Sequence, residues 1–459
     1  MKRISMELKD KRVLVVGLGK SGVASALFLK AHGARVTASD TKSGDELRNE
    51  IPVLLDHGIT VETGGHGERT FRGQDLIVVS PGVPVDAPLL VQARALGEPV
   101  IGEIELAAQF LPGPIVAITG SNGKTTTTTL AGEIMTAGGL PTLVGGNIGT
   151  PAISLAERAN RETVIVLEVS SFQLETIQTF HPKVAVVLNV TPDHLDRHRS
   201  FDVYVNAKAR IFENQRGDDF AVLNADDPTC VSMSTRTRAQ LFWFSRQKEV
   251  EQGACVREGN ILFRQGTSQQ QIMQVSEISL KGAHNLENVL AAVCAGRLMG
   301  CQPEKIRQAV SQFKAVEHRL EFVATIRGVD YYNDSKATNV DATIKALESF
   351  PDNIHLILGG KDKGSDYSVL NDLLRKRVKR VYTIGAAAAK IESQIVSQKN
   401  GGPEIVHAET LENAVRRANA VAQPGDVVLL APACASFDQF KNYEQRGQVF
   451  KDIVMRLRT

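Results

Sequence analysis

The chain has 459 residues, enough for about three domains and several buried cores. Apolar residues make up 42% and charged residues 23%, the proportions of an ordinary globular protein. Its 53 basic and 51 acidic residues are interspersed and leave a formal charge of +2, which argues against a dedicated nucleic-acid or membrane-surface protein.

The first strand is legible at Arg12-Val13-Leu14-Val15-Val16. It enters Gly17-Leu18-Gly19-Lys20-Ser21-Gly22 and a helix over 23–32, and a second strand over 35–40 ends in Asp40. This is a G-x-G-x-x-G in its βαβ setting, with an acid 18 residues beyond Gly22. Further strands are predicted over 59–62 and 75–80. The latter runs into Pro81-Gly82-Val83-Pro84, at the strand end where open α/β sheets bind ligands. The pattern suits any nucleotide diphosphate. A tight strand-to-helix connection without a ligand is the alternative.

Pro112-Gly113-Pro114 marks a break before the most informative segment. A buried strand over 115–119 meets Gly120-Ser121-Asn122-Gly123-Lys124-Thr125-Thr126, and a helix follows over 125–135. Glycines let the backbone close on a phosphate, and the helix start aims N–H groups at the same point. Lys124 supplies positive charge for outer phosphates and Thr125 a hydroxyl for Mg²⁺. The spacing departs from G-x-x-x-x-G-K-[ST], since the first glycine would fall at Ile118. A purely structural turn is the competing reading, but it gives Lys124 no partner.

Strands over 163–169, 184–190 and 220–223 complete a largely parallel central sheet, and 240–280 reads as a small antiparallel flap. Glu168, at a strand end in the phosphate-loop domain, is placed for a Mg²⁺ contact, against a solvated strand end or cap. In Thr191-Pro192-Asp193-His194, Thr191 and Pro192 would start a helix, which gives Asp193 a credible structural role. His194 is the sharper candidate, as metal ligand or transition-state donor. Lys208 reads by itself as a solvated helix lysine. From about residue 315, strands over 330–333, 354–358, 381–384, 404–406 and 427–431 form another doubly wound sheet.

Cys230, Cys255, Cys294, Cys301 and Cys434 are odd in number and lack a C-x-x-C pair, so free thiols are expected. Residues 1–7 lack a signal peptide's apolar core, and no apolar run reaches the roughly 18 residues of a membrane span. A cytoplasmic protein is expected, with no nucleic-acid partner and no stable membrane insertion.

The phosphate loop, Gly146-Asn147-Ile148-Gly149, Glu168-Val169-Ser170-Ser171-Phe172-Gln173, the segment from Asn189 to Asp196, Ala283-His284-Asn285-Leu286-Glu287-Asn288 and His318-Arg319-Leu320-Glu321 together resemble the Mur ligases of peptidoglycan synthesis. Asn333-Asp334-Ser335-Lys336-Ala337-Thr338-Asn339, Cys434-Ala435-Ser436-Phe437-Asp438-Gln439-Phe440 and the glycine-fingerprint unit narrow the likeness to members that add D-glutamate. The likeness spans almost the whole chain. It implies an α/β protein of three domains: an N-terminal Rossmann-like domain for the UDP substrate over 1–111, a central P-loop ATPase-like domain with a mainly parallel sheet over 112–315, and a C-terminal Rossmann-like, amino-acid-binding domain over 316–459.

The reaction so implied is ATP-dependent: the alanyl carboxylate of UDP-N-acetylmuramoyl-L-alanine becomes an acyl phosphate, the D-glutamate amine attacks, and phosphate leaves a tetrahedral intermediate. By motif match, Gly120 to Thr126, Asn285 and Arg319 contact ATP, and Lys124, His194 and Lys208 are the catalytic set. Thr125, Glu168, His194 and Lys208 hold two Mg²⁺ ions, Lys208 as a CO₂-derived carbamate. Gly17, Gly19, Gly22, Asp40, Thr41 and Gly82 take the uracil and diphosphate, and Asn147 and Ser170 the rest of that substrate. Lys336, Thr338, Lys363, Ser436 and Phe437 take D-glutamate, in a pocket that calls for cationic and hydroxyl donors and no nearby acid. Lys361 stands where some relatives carry an acid, so Lys336, Lys361 and Lys363 all stay open as carboxylate partners. A monomer is expected. The competing classes are a nicotinamide-dependent dehydrogenase, which leaves the phosphate loop unexplained, and a non-catalytic ATP-binding module, which has no need of Glu168, His194 and Lys208. A folate-type polyglutamate ligase is the nearest rival within ligases.

Overall fold

The computed structural model describes residues 7–280, 282–314 and 316–458, so the expected boundary at Ala315 lies outside the described residues. Three sheets carry the chain. The first has order β3-β2-β1-β4-β5, from β1 (Arg12–Val16), β2 (Arg35–Ser39), β3 (Thr60–Glu62), β4 (Leu76–Val79) and β5 (Val100–Gly102). All its pairs are parallel, as expected for strands joined by helical crossovers. Apolar residues fill β1 and β4 because both faces of a parallel sheet are covered.

The second sheet contains β6 (Ile115–Thr119), β7 (Thr142–Gly146), β8 (Val164–Glu168), β9 (Val184–Val187), β10 (Phe220–Asn224), β11 (Gln240–Ser245), β12 (Gly253–Arg257), β13 (Asn260–Gln265) and β14 (Ser268–Gln274). Their order is β14-β13-β12-β11-β10-β9-β6-β8-β7. The expected small antiparallel flap over 240–280 holds for β12 to β14 but not for β11: β11 pairs parallel with β10 and β12 parallel with β11, so the segment extends the main sheet. Only β12 to β14 are antiparallel. Phe242 and Phe244 explain the difference, since both are buried and commit β11 to the sheet's core.

The third sheet, order β15-β16-β20-β17-β18-β19, contains β15 (Glu321–Ile326), β16 (Val329–Asn333), β17 (Ile354–Gly359), β18 (Val378–Ile384), β19 (Glu404–Glu409) and β20 (Val427–Leu430). The antiparallel β15 was not expected. Its signal was the Arg327-Gly328 turn, whose φ values of 51° and 78° are those of a two-residue hairpin. The helix expected from Thr191 and Pro192 begins instead at Leu195, after His194 at φ 53°.

Two compact units result. One runs to Val190 and includes Ser200–Glu277 and Asn288–Val310; the other gathers Thr191–Arg199, Ile278–Glu287 and the chain from Ser311. The first unit holds two sheets because helix Glu103–Phe110 belongs to one continuous buried cluster with residues of both. Glu105 on that helix accepts backbone N–H bonds from Gln178 (2.8 Å), Thr179 (2.9 Å) and Phe180 (2.9 Å), and also the Thr179 hydroxyl. Nearby Glu103 is buried, accepts the Ile153 N–H at 2.8 Å, and has its carboxyl pushed up to about 7 by burial.

Glu105→Ala is expected to destabilise the first unit by about 3 kcal/mol, because three backbone donors and the Thr179 hydroxyl lose a buried carboxylate acceptor; urea unfolding measures this. A carboxyl raised in the folded state stabilises below its unfolded value and loses that contribution as pH rises toward 7. Glu103→Gln should therefore be more stable relative to the parent at pH 7.5 than at pH 5, as read by thermal melts.

Candidate active site

The phosphate-loop candidate follows β6, which is buried along its whole length in mid-sheet. Gly120 has φ 156° and Gly123 φ 83°, and a Cβ on Gly123 would collide with the Asn288 side-chain oxygen. Asn189 clamps the loop: its backbone oxygen accepts the Ser121 N–H at 2.9 Å and its Oδ1 the Asn122 N–H at 2.8 Å. Its Nδ2 donates back to the Asn122 carbonyl at 3.1 Å. Lys124 begins helix Lys124–Ala137 and folds over its own loop, with Nζ donating to the carbonyls of Gly120 (2.8 Å) and Ser121 (2.9 Å). The expectation that Lys124 has no structural partner is thus corrected.

Glu168, 2% exposed, ends β8. Its carboxylate accepts the Thr125 hydroxyl at 2.7 Å and the Asn147 amide at 2.8 Å, so it is no solvated strand end. Ser170 is the N-cap of helix Ser171–Leu174, in a capping box with Gln173. Lys208 lies on helix Phe201–Ala209 and is 1% exposed, which corrects the solvated reading. Its Nζ donates to the Gly120 carbonyl at 2.8 Å and stands 4.6 Å from the Tyr204 ring centre. The Tyr204 hydroxyl meets Ser121 Oγ at 3.0 Å. Thr125, Glu168, Asn147 and Lys208 are thereby gathered at one sheet edge, and Thr126, next to Thr125, is buried.

In the first sheet, Asp40 accepts the Leu18 N–H at 2.6 Å and the Lys42 N–H at 2.9 Å, holding the glycine loop from across the sheet edge. A Cβ on Gly22 would strike the Gly17 carbonyl, whereas Gly19 and Gly82 face open space. Thr41 beside them is exposed.

The second unit contains a cavity of about 680 Å³ whose lining includes Asn285, Arg319, Phe322, Asp330 and Tyr332. Arg319 stands between His318 (φ 62°) and Leu320 (φ 44°), left-handed positions that side chains occupy at a cost. Glu321 holds this turn by accepting the His318 N–H at 2.9 Å and the Asn333 amide at 3.0 Å. Burial pushes the Asp334 carboxyl up to about 6, against the pull of Arg319 and Lys336. Lys336 Nζ lies 5.2 Å from the Tyr443 ring centre. Ser436 is 2% and Phe437 66% exposed. Lys361 bridges backbone to backbone with Ala435.

Lys363 Nζ is 3.2 Å from Asp193 Oδ1, which corrects the expectation of a pocket without a nearby acid. Of the expected metal ligands, Thr125, Glu168 and Lys208 belong to the first unit and His194 to the second, where its Nε2 lies 3.7 Å from Asp193.

Arg446 was missed from sequence. It is 1% exposed and donates to Ser335 Oγ (3.0 Å), the Ser335 carbonyl (2.8 Å) and the Cys434 carbonyl (3.1 Å), tying the loop of Lys336 and Thr338 to that of Ser436 and Phe437. Burial lowers its guanidinium to about 10. Its signal was periodicity: Arg446, Phe450, Ile453 and Val454 form the buried face of helix Tyr443–Arg456.

Family patterns match along the chain: the Mur ligase MurD-like N-terminal domain over 11–102, the Mur ligase middle domain over 118–296 and the Mur ligase glutamate ligase domain over 318–434. A protein of Koribacter versatilis named UDP-N-acetylmuramoylalanine--D-glutamate ligase is 67% identical over 98% of this chain and 99% of its own. One of the same name from Acidobacterium capsulatum is 60% identical over 98% and 97%. Among solved structures, the MurF ligase of Thermotoga maritima in complex with ADP superposes with a TM-score of 0.63 at 18% identity, covering 99% of this chain and 100% of its own. At that identity the likeness speaks for the fold.

Arg446→Leu removes the donors of three buried oxygens and is expected to lower stability by about 3 kcal/mol, measured by denaturant unfolding.

Proposed function

The chain belongs to the Mur ligase family, and we propose that it joins D-glutamate to UDP-N-acetylmuramoyl-L-alanine in an ATP-dependent step of peptidoglycan precursor synthesis. The observation that carries this reading is the clamped glycine loop with Thr125 on Glu168 at 2.7 Å, in a chain whose full-length relatives bear that activity in their names. No helix among the described residues is long and apolar enough to cross a membrane, and the reading places the enzyme in the cytoplasm, as a monomer.

A carboxylate is a poor acyl donor, so one of its oxygens must join a phosphate leaving group, and two anions must first be brought together. Lys124 neutralises that approach from the loop, where its Nζ exchanges the Gly120 and Ser121 carbonyls for the outer phosphates of ATP. The loop N–H groups and the start of helix Lys124–Ala137 receive the inner phosphates. Thr125 and Glu168 are hard oxygen donors suited to Mg²⁺, and Lys208 as a carbamate, with His194, completes the ligands for two ions. When bound, Mg²⁺ supplies charge neutralisation at the transferred phosphoryl group. Carbamate formation adds CO₂ to the neutral Lys208 amine and releases one proton. The cavity at Asn285 and Arg319 takes the rest of ATP. Asp40, Thr41, Gly82 and the glycines of the first sheet take the uracil and diphosphate, with Asn147 and Ser170 toward the sugar-peptide end. Lys336, Thr338, Lys363, Ser436 and Phe437 take the D-glutamate carboxylates. The domains then run 1–111 for the UDP substrate, 112–315 for ATP and 316–459 for the amino acid.

Phosphate release across a panel of amino acids tests the proposal. ADP and phosphate should appear with UDP-N-acetylmuramoyl-L-alanine and D-glutamate together and with neither alone; turnover on a folate substrate instead would overturn it. Lys124→Ala should lose about 10²-fold or more in turnover, as expected for a transition-state charge contact, while still unfolding cooperatively in a thermal melt. Lys208→Ala should lose most activity, and short carboxylic acids should restore part of it by filling the ligand position.

A further inference from the structure

Asp193 lies in the second unit, and its side chain is 9% exposed. Its Oδ1 accepts from Lys363 Nζ at 3.2 Å and from the His194 N–H at 2.9 Å, and its Oδ2 from the Asn339 amide at 3.0 Å. Asn339 has one available orientation, because its Oδ1 is committed to the Ala342 N–H at 2.8 Å as N-cap of helix Val340–Glu348. Three segments of the second unit therefore converge on this carboxylate: the turn before helix Leu195–His198, the loop after Lys336 and Thr338, and the Gly359 to Gly364 loop. The lysine of the pair is 18% exposed and keeps contact with solvent.

A free amino acid is a zwitterion with an ammonium and a carboxylate on one carbon. The matching receptor is an anion and a cation side by side, so that two opposite-charge contacts form at once. The Asp193–Lys363 pair has that form. Among other acids on neighbouring segments, Asp362 pairs with Lys390 at 2.7 Å, Asp341 with Lys345 at 3.3 Å, and Asp438 accepts the Ala386 N–H at 2.9 Å.

We propose that Asp193 receives the α-ammonium of the incoming D-glutamate while Lys363 takes its α-carboxylate, so that the pair forms a recognition dipole for the amino acid. This rests on the reading of Lys363 as a D-glutamate contact. In the absence of amino acid, each member of the pair satisfies the other. On binding, Asn339 and the His194 N–H keep the Asp193 carboxylate in place, so the amine is held by a fixed group.

The test separates charge recognition from support of Lys363. Glutarate carries the two carboxylates of glutamate without the ammonium. Using the full chain with ATP and UDP-N-acetylmuramoyl-L-alanine, Asp193→Asn should raise the KM for D-glutamate at least tenfold, leave the KM for ATP within about twofold, and leave glutarate inhibition unchanged or tighter. A parallel rise in the D-glutamate KM and the glutarate inhibition constant would show that Asp193 only positions Lys363 and would overturn the proposal. An unchanged D-glutamate KM would overturn it as well. Asp193→Glu keeps the charge and should retain more D-glutamate affinity than the asparagine variant, which keeps the test open if that variant folds poorly. Lys363→Ala is the control for the underlying reading: if it alters neither D-glutamate nor glutarate binding, the amino-acid site lies elsewhere, and both reading and proposal fail.

Discussion

A carboxylate at the end of a buried strand obliges its surroundings to supply donors, and Glu168 sets that requirement at the carboxyl edge of the central sheet. At 2% exposure it has almost no water to solvate it, and an unsatisfied charge there would cost several kcal/mol. Thr125 and Asn147 answer with their side chains. Thr125 lies in the first turn of helix Lys124–Ala137 and Asn147 follows β7, so one buried charge fixes the mutual positions of three segments. Thr125 and Glu168 are also the oxygens that a hard cation would take.

The same edge brings two lysine side chains to one peptide group. Lys124 and Lys208 both donate to the Gly120 carbonyl, one from the loop's own helix and one from helix Phe201–Ala209. Both side chains load that one carbonyl oxygen and fix its position. Asn189 holds the loop backbone still under that load, with three hydrogen bonds to Ser121 and Asn122. Under the proposed function this rigidity serves an electrostatic end, because preorganised donors lose little on reorganisation when a phosphate arrives.

The second unit solves a related problem by other means. Its polar loops must be held at the strand ends without being filled in. Arg446 does this from beneath, where a single guanidinium serves three oxygens on two loops, a use suited to its fork of donors. Glu321 and Asn333 brace the left-handed backbone on either side of Arg319. In both places a polar side chain acts on the backbone of the loop that it holds.

What could be read from the sequence was whatever a local rule governs. Runs such as Val13 to Val16 and Ile115 to Ile118 are strands because a two-sided buried sheet demands continuous apolar residues, and the glycine turns after them follow from backbone sterics. Those rules gave three mainly parallel sheets, and the motifs quoted along the chain gave the family. Pairing partners were less legible: β11 looked like part of a flap because nothing local says which strand its backbone will meet, and β15 was hidden because its alternation is weak. Long-range charge contacts were not legible at all. Lys208 reads as a surface lysine on its helix, Arg446 as one more helix cation and Asp193 as a turn residue. Their burial and partners come from segments 88, 111 and 170 residues away, so only the tertiary structure, by bringing those segments together, could decide what each charge does.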